Sequence, residues 1–489
     1  MTPAVLIIFA TLISLLLLHV FWIAYLWGRS RRQAKLNLTR SGFLVIYASQ
    51  SGHVEAYAKQ TALQLQQIDQ LNALVNIQDL TSIQLQQAQQ VLWMVSTYGD
   101  GDAPDSARLA VKRLFQQTLD LSQQSYAVLA FGDRRYSHFC QFGQTVASWV
   151  QQQGAQAYFD LLCVDHFAQA DLDVWQKKLQ QIIDREIDFS EDDVYASFVV
   201  KQRTCLNKGS SGAEIYQLQL QTAPNISWLS GDILEVQCEN SAQNIQAFLQ
   251  QHQQGITEKL SQQLRYKNLR DVPVRLSQET FNAWLKRFQH LPTRDYSIAS
   301  IPEQGYVELV IRQQHTPEGL GLGSGWLTQR VQLGEMVQAR IRSNPHFHLP
   351  STSQALILIG NGTGIAGLIS HLQQRVQQKQ GQNWLIFGER QQQYDHLYRE
   401  QIELWQQQGS LTHVDYAFSR DQAEKIYVQD RLYQQAQRLK DWVQAGAAIY
   451  VCGSLQGMGQ AVEQALCEIL GSDTVDELRQ QQRYQRDVY

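Results

Sequence analysis

Three times in its first 140 residues this chain runs an apolar strand straight into a loop of glycine, hydroxyl and aromatic residues. Residues 43–48 lead into Ser49-Gln50-Ser51-Gly52-His53-Val54, ahead of a helical pattern. Residues 91–96, ending at Ser96, lead into Thr97-Tyr98-Gly99-Asp100-Gly101-Asp102. Residues 127–131 lead into Gly132-Asp133-Arg134-Arg135-Tyr136-Ser137-His138-Phe139-Cys140. Such a pattern predicts a doubly wound parallel sheet, whose loops meet beyond the carboxyl ends of the strands, where these sheets hold ligands. The first turn offers backbone N–H groups and hydroxyls at a helix N-terminus, which is an anion cradle. Tyr98 and Tyr136 are then placed to sandwich a planar ring, each stacked pair contributing roughly 0.5–1.5 kcal/mol. Any one of these loops alone would be an ordinary capped turn.

The remainder of the chain reads as two further regions. An acidic stretch, residues 184–193, is a solvated hinge, and residues 186–195 are taken as the linker. Short alternating runs follow at 196–202, 215–221, 233–237, 296–300, 306–312 and 336–341, the signature of an antiparallel barrel spanning 196–350. A helical insert at about 241–290 interrupts it. Within the barrel, Arg294-Asp295-Tyr296-Ser297 combines a guanidinium, a ring and a hydroxyl, and residues 319–327 include the glycine-rich turn Gly321-Leu322-Gly323-Ser324 at the start of a helix. Strand patterns at 355–359, 384–387, 413–417 and 448–451 alternate with helical ones, predicting a parallel α/β domain over 353–489. Its first strand ends in Gly360-Asn361-Gly362-Thr363-Gly364, a third phosphate-type turn. Ser419, Arg420, Lys425, Tyr427 and Gln429 cluster after another strand and suit a dianionic 2′-phosphate, which arginine binds bidentately. That favours NADPH over NADH.

The chain of 489 residues has a formal net charge of −4, so it lacks the basic excess of a nucleic-acid binder. Its six cysteines include no C-x-x-C pair, which gives no reason to expect a metal site or a disulfide framework. Residues 4–27 are almost continuously apolar and are followed by Arg29, Arg31, Arg32 and Lys35. About 24 residues at ~1.5 Å each would span a ~30 Å hydrocarbon core. The expectation is a single-pass transmembrane anchor in the inner (cytoplasmic) membrane, with the bulk of the chain on the cytoplasmic side by the positive-inside rule.

The three N-terminal loops resemble the phosphate loop and the two isoalloxazine loops of a flavodoxin-like FMN domain, here residues 42–185. The resemblance implies that Ser49 to Val54 hold the FMN phosphate, that Tyr98 and Tyr136 flank the flavin, and that Ser96, Thr97, Gly99, Gly132, Asp133, Phe139, Cys140 and Asp165 complete the pocket. The Arg294 and Gly321 motifs resemble the ferredoxin–NADP reductase family. By that likeness Arg294 pairs with the FAD pyrophosphate, Tyr296 stacks on its flavin, and Gly321 to Ser324 close over the phosphates. Gly362, Thr363 and Gly364 would then hold NADPH, and Cys452 would lie beside its nicotinamide. The ending Arg483-Tyr484-Gln485-Arg486-Asp487-Val488-Tyr489 places an aromatic residue last.

With its motifs in this order, the chain resembles the NADPH-dependent diflavin reductases of the cytochrome P450 reductase and sulfite reductase flavoprotein alpha-subunit type. The implied activity is hydride transfer from NADPH to FAD, then single electrons through FMN to a haem protein or a sulfite reductase haem subunit. Ser297, Cys452 and Asp487 would assist the hydride step and Tyr489 would gate it. The chain departs from the family at Gly367, Ser454 and Ala461. Two other readings stay open: a membrane reductase of ferric, siderophore or quinone substrates, and a flavin-carrying subunit or redox scaffold without turnover.

Overall fold

The computed structural model describes residues 42–50, 52–134, 136–165, 167–185, 195–223, 226–317 and 319–489. They fall into two compact units, divided between Phe189 and Ser190.

The first unit is built on a parallel sheet. Its strands run in the order Leu71–Asn76, Phe43–Ala48, Gln90–Ser96, Ser125–Gly132, and the last pairs with both Gln156–Ala157 and Leu162–Asp165. Strands covered on both faces read as continuous apolar runs, which is why Phe43–Ala48 carries no polar alternation. Its residues divide by parity. Leu44, Ile46 and Ala48 join Trp93 and Val95 on one face, under the helix Gln141–Gln152. Phe43 and Val45 join Leu92, Met94 and Trp175 on the other, under the helices His53–Gln67 and Gln169–Ile183.

The second unit begins with six antiparallel strands in the order Arg294–Ser297, Ile233–Val236, Met336–Arg342, Ala196–Cys205, Ile215–Gln221, Tyr306–Arg312. The two ends of that series meet. Ile298 bridges Leu309, and the Ala299 amide donates to the Glu308 carbonyl at 2.8 Å. Closure removes the free sheet edges. Phe198, Leu218, Leu234, Ile298, Leu309 and Val337 fill the interior. The insert forms three helices, Ala242–Gln251, Glu258–Leu264 and Phe281–Lys286. Each begins at a hydroxyl residue (Ser241, Thr257, Thr280) whose side chain accepts a first-turn amide. Phe248, Leu249, Trp284 and Phe288 give it a core of its own.

A five-stranded parallel sheet completes this unit, in the order His413–Phe418, Asn383–Glu389, Leu356–Asn361, Ala448–Gly453, Tyr484–Val488. Barrel and sheet are joined by polar contacts. Asn207 donates to Asp395 at 3.0 Å, and the Tyr398 hydroxyl donates to Glu308 at 2.7 Å. At Gly231 (φ 96°), a Cβ would stand 2.4 Å from the Phe347 carbonyl oxygen and 3.0 Å from His371 Cε1, so the barrel turn needs glycine for both conformation and space. His371 is fully buried there between the rings of Phe347 and Tyr450.

Burial, with smaller contributions from His348 and Arg375, lowers His371 from 6.5 to about 3, and the nearby Phe347 carbonyl offsets little of this. A depressed folded-state pKa means that the unfolded chain takes up the proton first. Stability is therefore complete above about 6.5 and is lost on the order of 1.4 kcal/mol per pH unit as pH falls towards 3. His371→Leu is expected to move the acid-unfolding midpoint, followed by tryptophan fluorescence, to lower pH. An unchanged midpoint would count against this assignment.

The expected N-terminal transmembrane helix is not retained. Among the described residues no helix is long and apolar enough to cross a membrane, and residues 4–27 lie outside those described. The single-pass inner-membrane placement goes with it. The flavodoxin-like and ferredoxin–NADP reductase-like parts of the expected fold fit the two units.

Candidate functional site

In the first unit the three loops converge at the carboxyl edge of the sheet. Gly52, at φ 82°, starts the helix His53–Gln67 and has no side chain of its own to cap it. The Gly52 amide instead donates to the Ser49 hydroxyl at 3.0 Å, which curls the turn over the helix end. A glycine-made turn at a helix start fits a phosphate. Gln50 points elsewhere: its amide group donates to the Asp105 carboxylate at 3.1 Å and accepts from the Asp105 N–H at 2.8 Å, bracing the next helix. Ser51 lies outside the described residues. Val54 is buried, and the His53 ring packs against Phe167 at 5.3 Å.

The second loop is folded back on itself by paired amide bonds between Tyr98 and Asp102 (2.8 and 2.9 Å), which leaves Tyr98 buried. Ser96 anchors to the Ala48 carbonyl at 3.2 Å, and the Thr97 hydroxyl accepts the Phe142 amide at 3.2 Å. Gly99, at φ 54°, turns the loop. Tyr136 in the third loop is only half-buried, its amide bonded to the Asp133 carbonyl at 3.1 Å. Asp100 ties the two loops together, accepting from the Ser137 hydroxyl at 2.8 Å and meeting His138 Nδ1 at 3.1 Å. Asp165 accepts the Arg134 amide at 3.0 Å, and the Arg134 guanidinium lies over Phe139 at 4.7 Å. Cys140 is fully buried beneath the loop, its thiol donating to the Ala130 carbonyl at 3.4 Å.

In the second unit, the last strand decides the geometry. Tyr484–Val488 pairs in parallel with Ala448–Gly453, and the register sets Asp487 beside Cys452. The Ser297 hydroxyl, from the end of a barrel strand, donates to Asp487 Oδ2 at 2.8 Å, and Cys452 Sγ approaches the same oxygen at 3.8 Å. Burial raises the Asp487 carboxyl above its usual range, against the Ser297 hydrogen bond and the charge of Arg342. Burial, then the Asp487 charge, raises the Cys452 thiol well above its usual value, so it stays a neutral donor. Gly367 lies over this cluster: a Cβ there would be 3.1 Å from Phe347, 3.2 Å from Cys452 Sγ and 3.8 Å from Ser297.

Two approaches lead to that cluster. On the barrel side, a Cβ on Gly323 would meet Arg294 Cγ at 2.7 Å and the Tyr296 hydroxyl at 3.1 Å, so the glycine-rich turn and the Arg294 strand lie against each other. Ser324 holds the turn by accepting the Gln314 amide at 3.0 Å. On the sheet side is a cavity of about 770 Å³. Gly362, Thr363, Ser419, Tyr427, Gln429 and Tyr489 all border it. Tyr489 is 58% exposed, and its hydroxyl lies 3.2 Å from Thr363 Oγ1. Arg420 and Lys425 are exposed and stand outside the lining.

Residues 45–174 match the flavodoxin family model, and residues 358–464 match the oxidoreductase NAD-binding domain model. Among curated proteins, the sulfite reductase [NADPH] flavoprotein alpha-component of Vibrio cholerae is 29% identical, over 96% of this chain and 92% of that one. The protein of the same name from Mannheimia succiniciproducens is 28% identical, over 91% of this chain and 89% of its own. The two domain matches and these relatives support the NADPH-dependent diflavin reductase family for this chain. The chain is an oxidoreductase whose cofactors are FMN, FAD and NADPH.

The cavity has walls that sequence reasoning missed. Arg312, Asn361, Glu389 and Arg390 line it, as do the departures Ser454 and Ala461. Arg312 pairs with Glu389, whose carboxyl is raised mainly by burial and held down by that guanidinium. The signal was available: Asn383–Glu389 ends at the same sheet edge that pointed to Ser419. Arg312 was not legible, since it enters from a barrel strand.

In the third loop of the first unit, Gly132 is sterically fixed. A Cβ there would meet the Cys140 amide nitrogen at 2.9 Å and Phe139 Cδ2 at 3.0 Å. Gly132→Ala is expected to displace the third flavin loop and weaken FMN retention about tenfold or more, in line with the ~1–3 kcal/mol of overpacking. Ultrafiltration followed by flavin quantitation checks this, with FAD content unchanged.

Proposed function

We propose that this chain is the electron-donating flavoprotein of a sulfite reductase-type system, delivering reducing equivalents from NADPH to a haemoprotein partner. When bound, NADPH supplies a hydride, FAD accepts it, and FMN releases the electrons singly to the acceptor. The reading rests on the Ser297–Asp487–Cys452 cluster, formed where barrel and sheet meet and bordered by the Tyr489 end of the nucleotide cavity.

The residues take roles from their positions. Gly362, Thr363 and Gly364 admit the nucleotide's phosphates to the end of Leu356–Asn361, and Arg312 and Arg390 add positive charge to that wall. Ser419, Tyr427 and Gln429 bind the far, adenosine end. Arg294 and the Gly321–Ser324 turn hold the FAD pyrophosphate, with Tyr296 against its ring. Tyr489 would cover the FAD ring and gate access to it, and its hydroxyl, 3.2 Å from Thr363 Oγ1, would couple that gating to the phosphate turn. Asp487 orients the Ser297 hydroxyl and the Cys452 thiol as neutral donors beside the reacting ring. In the first unit, the Ser49–Val54 turn takes the FMN phosphate, while Tyr98 and Tyr136 flank its flavin.

The relatives named above carry sulfite reductase in their names, which is why a haemoprotein acceptor is preferred. NADPH oxidation would be measured with a sulfite reductase haem subunit, with other haem proteins, with quinones and with ferric chelates in turn. Fast, saturable turnover with the haem subunit supports the proposal. Saturation only with quinones or ferric chelates refutes it.

A further inference from the structure

Cys140 and Cys163 are not used by the proposed electron route, yet the fold brings them together at the edge of the FMN site. Leu162–Asp165 pairs in parallel with Ser125–Gly132, and the register sets Cys163 beside Ala130. Neighbours in a sheet point to the same face. The Ala130 face is the one covered by Gln141–Gln152, because a Cβ on Gly143 of that helix would be only 2.3 Å from Ala130 Cβ. Cys140 is the residue that starts this helix, in a left-handed conformation at φ 57°, and its thiol reaches the Ala130 carbonyl at 3.4 Å. The Cys163 side chain therefore rises from the sheet on the face where the helix starts, beside Ala130, whose carbonyl the Cys140 thiol contacts.

The pair is chemically unequal. Cys140 is fully buried, whereas Cys163 is partly exposed. The neighbouring Cys140 thiol, helped by the Arg134 charge, lowers the Cys163 thiol below its ordinary value. Ionisation is thus favoured at the more accessible of the two thiols, with a second thiol near it, the arrangement that oxidant-sensing cysteines use.

We propose that Cys140 and Cys163 form a reversible disulfide, a redox-sensitive latch on the third FMN loop. Hydrogen peroxide is the oxidant by chemical class. The Cys163 thiolate attacks one peroxide oxygen, breaking the O–O bond and releasing water to give a sulfenic acid. The Cys140 sulfur then displaces that hydroxyl as a second water. Two thiols thus lose two electrons and two protons, which reduce one peroxide to two waters; a dithiol reductant reverses the change. The latch acts on the flavin loop because Cys140 Sγ fills the space at Gly132, 3.0 Å from where its Cβ would be, and Phe139 precedes it. Two residues on from Cys163 is Asp165, which holds the Arg134 amide.

The test uses the full chain with its flavins. It is treated with hydrogen peroxide, unfolded and alkylated with iodoacetamide, then digested with trypsin. Residues 136–177 contain both cysteines and no internal Lys or Arg, so they emerge as one peptide. The expected product is that peptide two hydrogens lighter and carrying no alkyl group, returning to the doubly alkylated form after dithiothreitol. FMN fluorescence should change on oxidation and recover on reduction. In Cys163→Ser, which removes a residue outside the proposed flavin contacts, neither response should appear. A peptide carrying sulfinic acid at Cys163 with Cys140 alkylated would overturn the proposal. So would two alkylated cysteines after peroxide, or a fluorescence response that persists in Cys163→Ser.

Discussion

Replacing Gly364 by alanine is expected to slow the reduction of bound flavin by NADPH at least about a hundredfold. A Cβ at this position would stand 2.1 Å from the Cys452 carbonyl oxygen, 2.4 Å from its carbon and 2.5 Å from Gly453 Cα. All three are backbone atoms, so no side chain can rotate away. Either the Gly362–Gly364 turn or the end of Ala448–Gly453 has to move. The first borders the nucleotide cavity, and the second carries Cys452. Overpacking of this kind costs typically ~1–3 kcal/mol in stability, and a displacement of about 1 Å in a reacting geometry can cost on the order of 10²-fold in rate. Stopped-flow mixing with NADPH, monitored by flavin bleaching, measures the effect. Gly255→Ala provides the control, since a Cβ there meets nothing within 4 Å. FMN content should match wild type in both variants, because the first unit is untouched. A Gly364→Ala enzyme reduced at the normal rate would show that this turn does not set the nucleotide's position.

The second large effect is expected at Asp487. Its carboxylate accepts the Ser297 hydroxyl at 2.8 Å and lies 3.8 Å from Cys452 Sγ. Asp487→Asn keeps the volume but puts a neutral amide where a charged acceptor had oriented both groups. Charge-assisted hydrogen bonds are roughly twice as strong as neutral ones, and positioned proton-handling groups are typically worth about 10²–10⁴-fold. Flavin reduction by NADPH should fall about a hundredfold, with FAD content retained. The pH profile separates this role from a structural one. Burial raises the Asp487 pKa above 3.8, so the carboxylate is present above the raised value and is lost as pH falls through it. The wild-type rate should therefore drop on acidification at a higher pH than an ordinary aspartate would cause, and Asp487→Asn should lack that drop. The stability contribution has the opposite sign, because the folded state holds the proton more tightly and loses stability as pH rises across the same window. A variant that keeps both the wild-type rate and its acid limb would remove Asp487 from the hydride step.

Much of this arrangement was legible because strands and turns announce themselves locally. Phe43–Ala48, with no polar alternation, could only be a strand covered on both sides, and the turn at Ser49 had to stand at a sheet edge. Tyr98 and Tyr136 were singled out the same way, and they do lie on loops that follow equivalent strands. The last strand was not read as one. Tyr484–Val488 alternates Tyr, Arg and Val inward with Gln and Asp less covered, but so short a run at a chain end carries little signal. Its pairing with Ala448–Gly453 is a long-range fact, and with it came the register that sets Asp487 beside Cys452.

Side-chain direction was the other blind spot. Gln50 belongs to a phosphate-type turn by sequence, yet its amide is occupied by Asp105, a partner 55 positions away. Arg420 and Lys425 were chosen for charge and sit outside the cavity, while Arg312 and Arg390 line it from elements that sequence spacing does not connect. The apolar segment at residues 4–27 illustrates a different limit. Its apolar run and the basic residues after it argued for a membrane span; among the described residues, which do not include 4–27, no helix is long and apolar enough to cross a membrane.

The proposed electron route requires two separate flavin pockets in one polypeptide. Its most direct test is acid extraction of the purified chain after reconstitution with excess FMN and FAD and removal of the unbound flavin, followed by chromatographic quantitation against protein concentration. The expected result is one FMN and one FAD per chain, with Gly132→Ala losing FMN alone. A single kind of flavin, at one per chain, would contradict it.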